Sequence, residues 1–209
     1  MKSAKEEDAL WFPVDISPWG HDFRPVTLAA ASYDKEGVNV YLRSYEQNIR
    51  CVEFGRNAPV HNDSCLEFFF APLWPDVKSY FNFEMNPAGA LYTGFSPTGL
   101  RANTAPVADE IPAEYFGLKT AVIHGTGDGG EGEGYNGSPA YWEAAFYVSY
   151  EYIKGFLPQF NPGECKKIAA NFYKCGDLTE NEHYLAWSEV KTPAPDFHVP
   201  EYFGELSLE

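Results

Sequence analysis

The sequence predicts an all-β fold, a single antiparallel two-sheet β-sandwich with long loops and one or two short helices. Three observations carry that expectation. Short apolar/polar alternating runs follow one another along most of the chain, the period of strands with one face inward. Turn-forming Gly, Asn, Asp and Pro stand between them. No helical pattern of about ten residues recurs between the runs, which disfavours a parallel βαβ sheet. The 209 residues are 44% hydrophobic, with 16 Phe, 14 Tyr and 5 Trp, so the chain can build a core, and the aromatic bias favours strands. There is no internal repeat.

In chain order, residues 1–25 read as irregular because Pro13, Pro18 and Pro25 interrupt them. Strand runs follow at 26–33 (VTLAAASY), 38–43 (VNVYLR) and 48–54 (NIRCVEF). Asp34-Lys35-Glu36-Gly37 reads as a hairpin turn, with Gly37 free to take positive φ. Next come 64–71 (SCLEFFFA), 79–85 (SYFNFEM) and 89–95 (GALYTGF), the last two joined through a turn at Asn86-Pro87-Ala88-Gly89. Short connections make such runs antiparallel neighbours. Residues 96–140 are the least legible: 111–118 suits a helical turn, and 124–139 is Gly-rich and acidic, the composition of a mobile loop. Then come a strand at 141–150, a short helix ended by Pro158, strands at 165–176 and 183–188, and a Pro-rich tail leading to GELSLE.

Composition excludes some partners. Thirty acidic against fifteen basic residues give a formal charge of -15, which repels phosphate backbones and anionic headgroups, so neither nucleic acid nor membrane insertion is expected. No segment approaches the roughly 20 apolar residues that span a bilayer. The N-terminal MKSAKEEDALWF has no apolar run behind its lysines and is no secretory signal as written. Two locations stay open: extracellular or periplasmic if a leader was removed, cytoplasmic otherwise. The four cysteines, Cys51, Cys65, Cys165 and Cys175, allow three pairings or four free buried thiols. Oligomeric state is not readable from the sequence.

Alternation assigns each side chain to a face. Leu66, Phe68 and Phe70 oppose Cys65, Glu67 and Phe69; Phe81, Phe83 and Met85 oppose Tyr80, Asn82 and Glu84. Trp142, Ala144, Phe146 and Val148 oppose Tyr141, Glu143, Ala145 and Tyr147; Ile168, Ala170 and Phe172 oppose Ala169, Asn171, Tyr173 and Cys175. If the strands are neighbours, the non-core faces combine carboxylates, amides and flat aromatics. That mixture suits a sugar, whose C–H groups pack on aromatic faces and whose hydroxyls need fixed donors and acceptors. The same alternation also describes an ordinary half-buried strand. Glu67 is the informative residue, because a carboxylate among Leu66 and a Phe run is costly to dry out unless paired or liganded.

Other chemistries use or lack the same residues. Glu67 with Glu84 or Glu143 is a candidate pair for a glycoside hydrolase, which needs carboxyls about 5–9.5 Å apart. The Gly-rich stretch lacks a phosphate-loop ending, and there is no Gly-x-Ser-x-Gly elbow and no His-Glu-x-x-His zinc pattern. Cys175 and His183 lack a second metal-binding pair at finger spacing, and Asp128, Glu131 and Glu133 match no EF-hand.

The blocks DSCLEFFFAP, YFNFEMNPAG, NFYKCGD, HYLAWSEV and PDFHVPEYFGELSL, in that order, resemble the bacterial carbohydrate-binding family 9-like domains, relatives of the family 9 modules attached to xylanases. The resemblance runs from about residue 24 to the C-terminus, giving an irregular segment 1–23 and a domain 24–209. It implies a β-sandwich that holds mono- or oligosaccharides between aromatic side chains without chemistry, with Ca²⁺ as a structural ion and no cofactor required. Asp63-Ser64-Cys65-Leu66-Glu67 resembles the family's Asp-x-Val-Glu strand, which makes Glu67 the sugar-contacting glutamate, and Asn171 resembles a later polar position. The family's arginine on the following strand has no match, because Tyr80, Asn82 and Glu84 occupy that strand's polar side. The expected ligand-binding set is Glu67, Trp74, Tyr80, Asn82, Glu84, Asn171, Tyr173 and Trp187, and Trp19, beside Pro18 and Gly20, is a candidate plug for one end of the sandwich. The alternatives are a hydrolase built on a Glu pair and an assembly domain with no sugar ligand.

Overall fold

The computed structural model describes residues 10–46, 48–107, 111–124 and 140–207. Two antiparallel sheets face each other, as the alternation predicts. The first has the order β1-β2-β3-β9-β8: β1 (Phe12–Pro13), β2 (Val26–Tyr33), β3 (Gly37–Tyr45), β8 (Lys119–Ile123) and β9 (Tyr141–Ser149). The second has the order β11-β10-β4-β5-β6-β7: β4 (Cys65–Ala71), β5 (Tyr80–Met85), β6 (Leu91–Ser96), β7 (Ala105–Pro106), β10 (Lys167–Cys175) and β11 (Tyr184–Ala186). A seventh strand, β12 (Gly204–Ser207), pairs with the start of β10. The principal helix among the described residues, α1 (Tyr150–Phe156), follows β9, with Ser149 Oγ accepting from Tyr152 N at 3.1 Å as its N-cap.

The inward set is the one parity selects. Leu66, Phe68 and Phe70 of β4, Phe81, Phe83 and Met85 of β5, and Phe172 of β10 pack against Val40, Leu42, Trp142, Ala144 and Phe146 of the opposite sheet. Phe83 stacks on Phe146 at 5.4 Å and Phe70 on Phe81 at 5.0 Å. Each such ring contributes about 1.5–3 kcal/mol by leaving water. An ion pair lies inside this layer: Lys174 of β10 reaches Glu46, just past β3, at 3.3 Å, and Glu46 also accepts from Trp142 Nε1 at 2.5 Å.

Several local expectations change. Residues 48–54 form no strand; the amides of Val52 and Glu53 donate to the buried Asp63 carboxylate (3.0 and 2.9 Å), which also takes Arg50 and Asn86 Nδ2. Those backbone donors are satisfied by a side chain, so no ladder forms. Gly37 does not take positive φ: a Cβ there would sit 2.3 Å from Val148 O and 2.6 Å from the Tyr147 ring, so close approach requires the glycine. Positive φ occurs at Gly89 (78°), in the expected turn. β1, β7, β8 and β12 were not expected as strands, β1 lying in the stretch its prolines mark as irregular. The helical turn in 111–118 is a short 3₁₀ segment at Ala113–Phe116. Most of the Gly-rich stretch, with Asp128, Glu131 and Glu133, lies outside the described residues.

The other face of β4, β5 and β10 is also covered. A second apolar cluster, including Ala58, Val60, Phe69, Tyr80, Tyr173, Val190 and Phe197, lies between the seven-stranded sheet and segments 55–62 and 190–203. Every residue of β4 and β5 is therefore buried. The polar face is a covered layer with an opening.

Candidate functional site

That opening is a cavity of about 360 Å³ over the outer face of the seven-stranded sheet. Its floor comes from alternate positions of paired strands: Glu67 and Phe69 of β4, Glu84 of β5, Tyr92 of β6 and Cys175 of β10. Its rim comes from loops: Trp19, Pro59 and His61, Arg101 and Thr104, Asp177, and Asp196 with His198. The volume falls within the range typical of small-molecule pockets.

The floor carries two carboxyls side by side. Glu67 and Glu84 are direct partners in the β4–β5 register and are 3% and 6% exposed. Burial holds Glu67 well above the usual carboxylate range, the neighbouring Glu84 charge adds to this, and the hydrogen bond from Cys175 opposes it. Burial also pushes Glu84 up, to about 7, against the opposing effects of the Asn82 amide and the Arg101 charge. Two like charges this close cannot both ionise freely. Burial and mutual repulsion thus favour a protonated Glu67–Glu84 pair, which gives the floor a hydrogen-bond donor beside its acceptors.

The rim supplies opposite charge and aromatic surface. Arg101 Nη1 meets Asp196 Oδ1 at 3.2 Å, and His61 Nδ1 stands 4.0 Å from Glu84 Oε2. Trp19 is fixed by its Nε1 donating to Thr192 O at 3.0 Å and by edge contact with Tyr184 at 5.5 Å. Burial, helped by the Arg101 charge, lowers His198 to about 4, so its ring is neutral at pH 7. The site thus combines flat aromatic faces, carboxyl donors and acceptors, and a guanidinium, an arrangement able to hold a polyhydroxylated ligand.

Of the eight expected ligand-binding residues, Glu67 and Glu84 line the cavity. Tyr80 lies beneath it, its hydroxyl bridging Thr104 Oγ1 (2.7 Å) and His198 Nδ1 (2.8 Å), both rim groups. Asn82 is fully buried and donates to Glu84 Oε1 at 2.9 Å, so it orients the carboxyl from behind. Tyr173 stacks on Phe197 at 3.9 Å and supports that wall. Asn171 is engaged with Ser188, through its Nδ2 to the carbonyl at 3.0 Å and its Oδ1 from the amide at 2.9 Å. Trp187 packs on the core side against Phe12 and Phe172, and Trp74 stands over Lys78 Nζ at 3.9 Å; neither borders the cavity.

Sequence reasoning missed Arg101, His61, Thr104, Asp177, Tyr92 and His198. All but Tyr92 reach the cavity from loops or single 3₁₀ turns, where no periodicity assigns direction. Trp19, which the sequence offers as a candidate plug for one end of the sandwich, stands on this rim. Arg101 brings a guanidinium to the cavity from the segment after β6, although the strand after Glu67 carries no arginine.

Calcium needs several hard oxygen ligands. Among the described residues the one compact group of three candidate metal ligands is Cys65, Glu67 and Cys175, two of them thiols, and the Asp63 carboxylate is already filled by Arg50, Asn86 and two amides. Among the described residues no three carboxylates gather closely enough to hold a calcium ion by side chains alone.

A model of carbohydrate-binding family 9 matches residues 3–208. Among solved structures, the chain is similar to a protein from Bacteroides uniformis whose description proposes carbohydrate binding (26% identity, TM-score 0.75, 97% of this chain and 88% of that one). It shares its fold with a family 9 carbohydrate-binding module from Caldicellulosiruptor kristjanssonii, solved with glucose (11% identity, TM-score 0.60, 99% and 88% covered) and with cellotriose (10%, 0.59, 96% and 83%). No curated protein matches the chain. Sandwich, covered polar face and family match agree: the chain belongs to carbohydrate-binding family 9.

Proposed function

We propose that this protein binds a mono- or oligosaccharide, without turning it over, in the cavity on the outer face of the seven-stranded sheet. The observation that carries the reading is the meeting in one recess of the Glu67–Glu84 pair, the Arg101 guanidinium and the Trp19 and Tyr92 rings. Glu67, Glu84, Arg101, His61 and Asp177 exchange hydrogen bonds with sugar hydroxyls, while Trp19 or Tyr92 packs on C–H groups. Each net hydrogen bond contributes only about 0.5–1.5 kcal/mol, so several must act together from rigid positions. Asn82, Tyr80 and Tyr173 hold the lining groups in place. The described module with glucose and cellotriose, of the same fold, supports this ligand class.

The test is calorimetric titration of neutral mono- and oligosaccharides, in chelator, with wild type beside Trp19→Ala and Glu67→Gln. Saturable binding by wild type, weakened at least tenfold in both folded variants, supports the site. No saturable binding across the sugar set, or equal binding by all three proteins, rejects it. Release of aryl alcohol from an aryl glycoside, lost on substitution of Glu67 or Glu84, would establish the hydrolase instead. A concentration-dependent assembly without sugar binding would establish the structural role.

A further inference from the structure

Cys65 and Cys175 are direct partners in the β4–β10 register, and Glu67 follows Cys65 by two residues, so all three side chains share one face. Their ligand atoms lie within 4.8 Å of one another, and all three residues are buried. Cys175 Sγ is 2.9 Å and Cys65 Sγ 3.8 Å from Glu67 Oε1. Neither thiol is in a disulfide. We propose that Cys65, Glu67 and Cys175 form a binding site for a thiophilic divalent cation, Zn²⁺ above all, with a fourth coordination position open to the cavity.

Geometry and ligand chemistry agree. Zinc takes Cys sulfur at about 2.3 Å and carboxylate oxygen at about 2.0–2.2 Å, which puts tetrahedral ligand atoms roughly 3.5–3.8 Å apart. Cys65 Sγ and Glu67 Oε1 already have that spacing; the Cys175–Glu67 contact opens by about 0.6 Å, within reach of a small χ rotation. Two sulfurs select zinc over calcium or magnesium. As the metal–ligand bonds form, each thiol gives its proton to solvent, as does the Glu67 carboxyl where it is protonated, and two thiolates with one carboxylate leave the centre with a single net negative charge. Among the described residues no Lys or Arg forms an ion pair with Glu67, Lys174 meeting Glu46 and Arg101 meeting Asp196, so no basic side chain competes with a cation for its carboxylate. Glu67 and Cys175 both border the cavity, which supplies an entry path and room for a water or ligand at the fourth position. Three protein ligands with one open position is the arrangement of reactive rather than closed structural zinc sites. This inference does not rest on sugar binding.

The experiment titrates Co²⁺, then Zn²⁺, into untagged, reduced, chelator-washed full chain. Wild type is expected to bind one equivalent of Co²⁺ with sulfur-to-cobalt charge-transfer absorption in the near ultraviolet, bleached by stoichiometric Zn²⁺. Cys65→Ser and Cys175→Ser lose that band, Glu67→Gln binds at least tenfold more weakly, and Cys51→Ser/Cys165→Ser retains it. A second measurement needs no variant: one equivalent of Zn²⁺ slows alkylation of Cys175 in wild type at least tenfold. Absence of the band in wild type, its survival in Cys65→Ser/Cys175→Ser, or unchanged alkylation with Zn²⁺ overturns the proposal. Sugar titrations in chelator are read separately, so either idea can fail alone.

Discussion

Replacing Lys174 by Met tests the ion pair between the sheets. Lys174 is 0% exposed and Glu46 3%, and the two meet at 3.3 Å. Removing the ammonium leaves the Glu46 carboxylate dry, with the Trp142 indole N–H as its remaining partner, at 2.5 Å. Breaking a buried pair from one side costs about 3–5 kcal/mol, because an uncompensated charge stays inside. That is a large part of the 5–15 kcal/mol typical of a domain. Glu46→Gln leaves the opposite charge, softened by the 2.8 Å bond from Lys174 Nζ to Cys175 O, and is expected to lose about 2–4 kcal/mol. Lys174→Met/Glu46→Gln removes both charges, while the new amide still accepts from Trp142, so it should lie within about 1.5 kcal/mol of wild type. The assay is urea unfolding at pH 7, followed by circular dichroism and tryptophan fluorescence, with equal m-values across the four proteins. Single variants within 1 kcal/mol of wild type, or a double variant losing the sum of the singles, would refute the reasoning.

Further outcomes follow from other sites. His198 has its folded pKa lowered to about 4 by burial, the Arg101 charge adding and Asp196 opposing, so its neutral ring contributes stability above about pH 6.5 that is lost as pH falls towards 4. Discounted for partial exposure, the loss is about 2 kcal/mol, and unfolding curves of His198→Asn should lack it across that window. At Gly94, an added Cβ would lie 2.3 Å from Asn82 Oδ1, so Gly94→Ala should push Asn82 off Glu84 and weaken saccharide affinity about tenfold in calorimetry, with the fold retained by circular dichroism. Asp63→Ala frees the Val52 and Glu53 amides and leaves Arg50 without its carboxylate, so hydrogen exchange at 50–54 should accelerate and stability fall by about 3 kcal/mol. Phe83→Ala should cost about 3–5 kcal/mol in the same urea assay, since its ring joins both sheets through Phe146.

Strands β2, β3, β4, β5, β6, β9, β10 and β11 were legible as runs of strand-favouring residues bounded by turn residues. Too short to show a period, β1 and β7 were not, and β8 lies in the stretch where Gly-rich composition obscures the signal. The run 48–54 alternates like a strand, but Asp63, ten or more positions away in sequence, takes its amides. Glu67 and Glu84 were readable as neighbours on a polar face; Arg101, His61 and His198 were not, because loop direction is set by distant contacts.

By itself the sequence determined the two faces of each strand, since a period of two leaves no freedom once the phenylalanines turn inward. Only the tertiary structure decided what lies over the other face. Segments 55–62 and 190–203 carry no periodic pattern, and their long-range packing turned a polar surface into a floor with one cavity. That packing set the burial of the Glu67–Glu84 pair, and strand register alone brought Cys65 to Cys175.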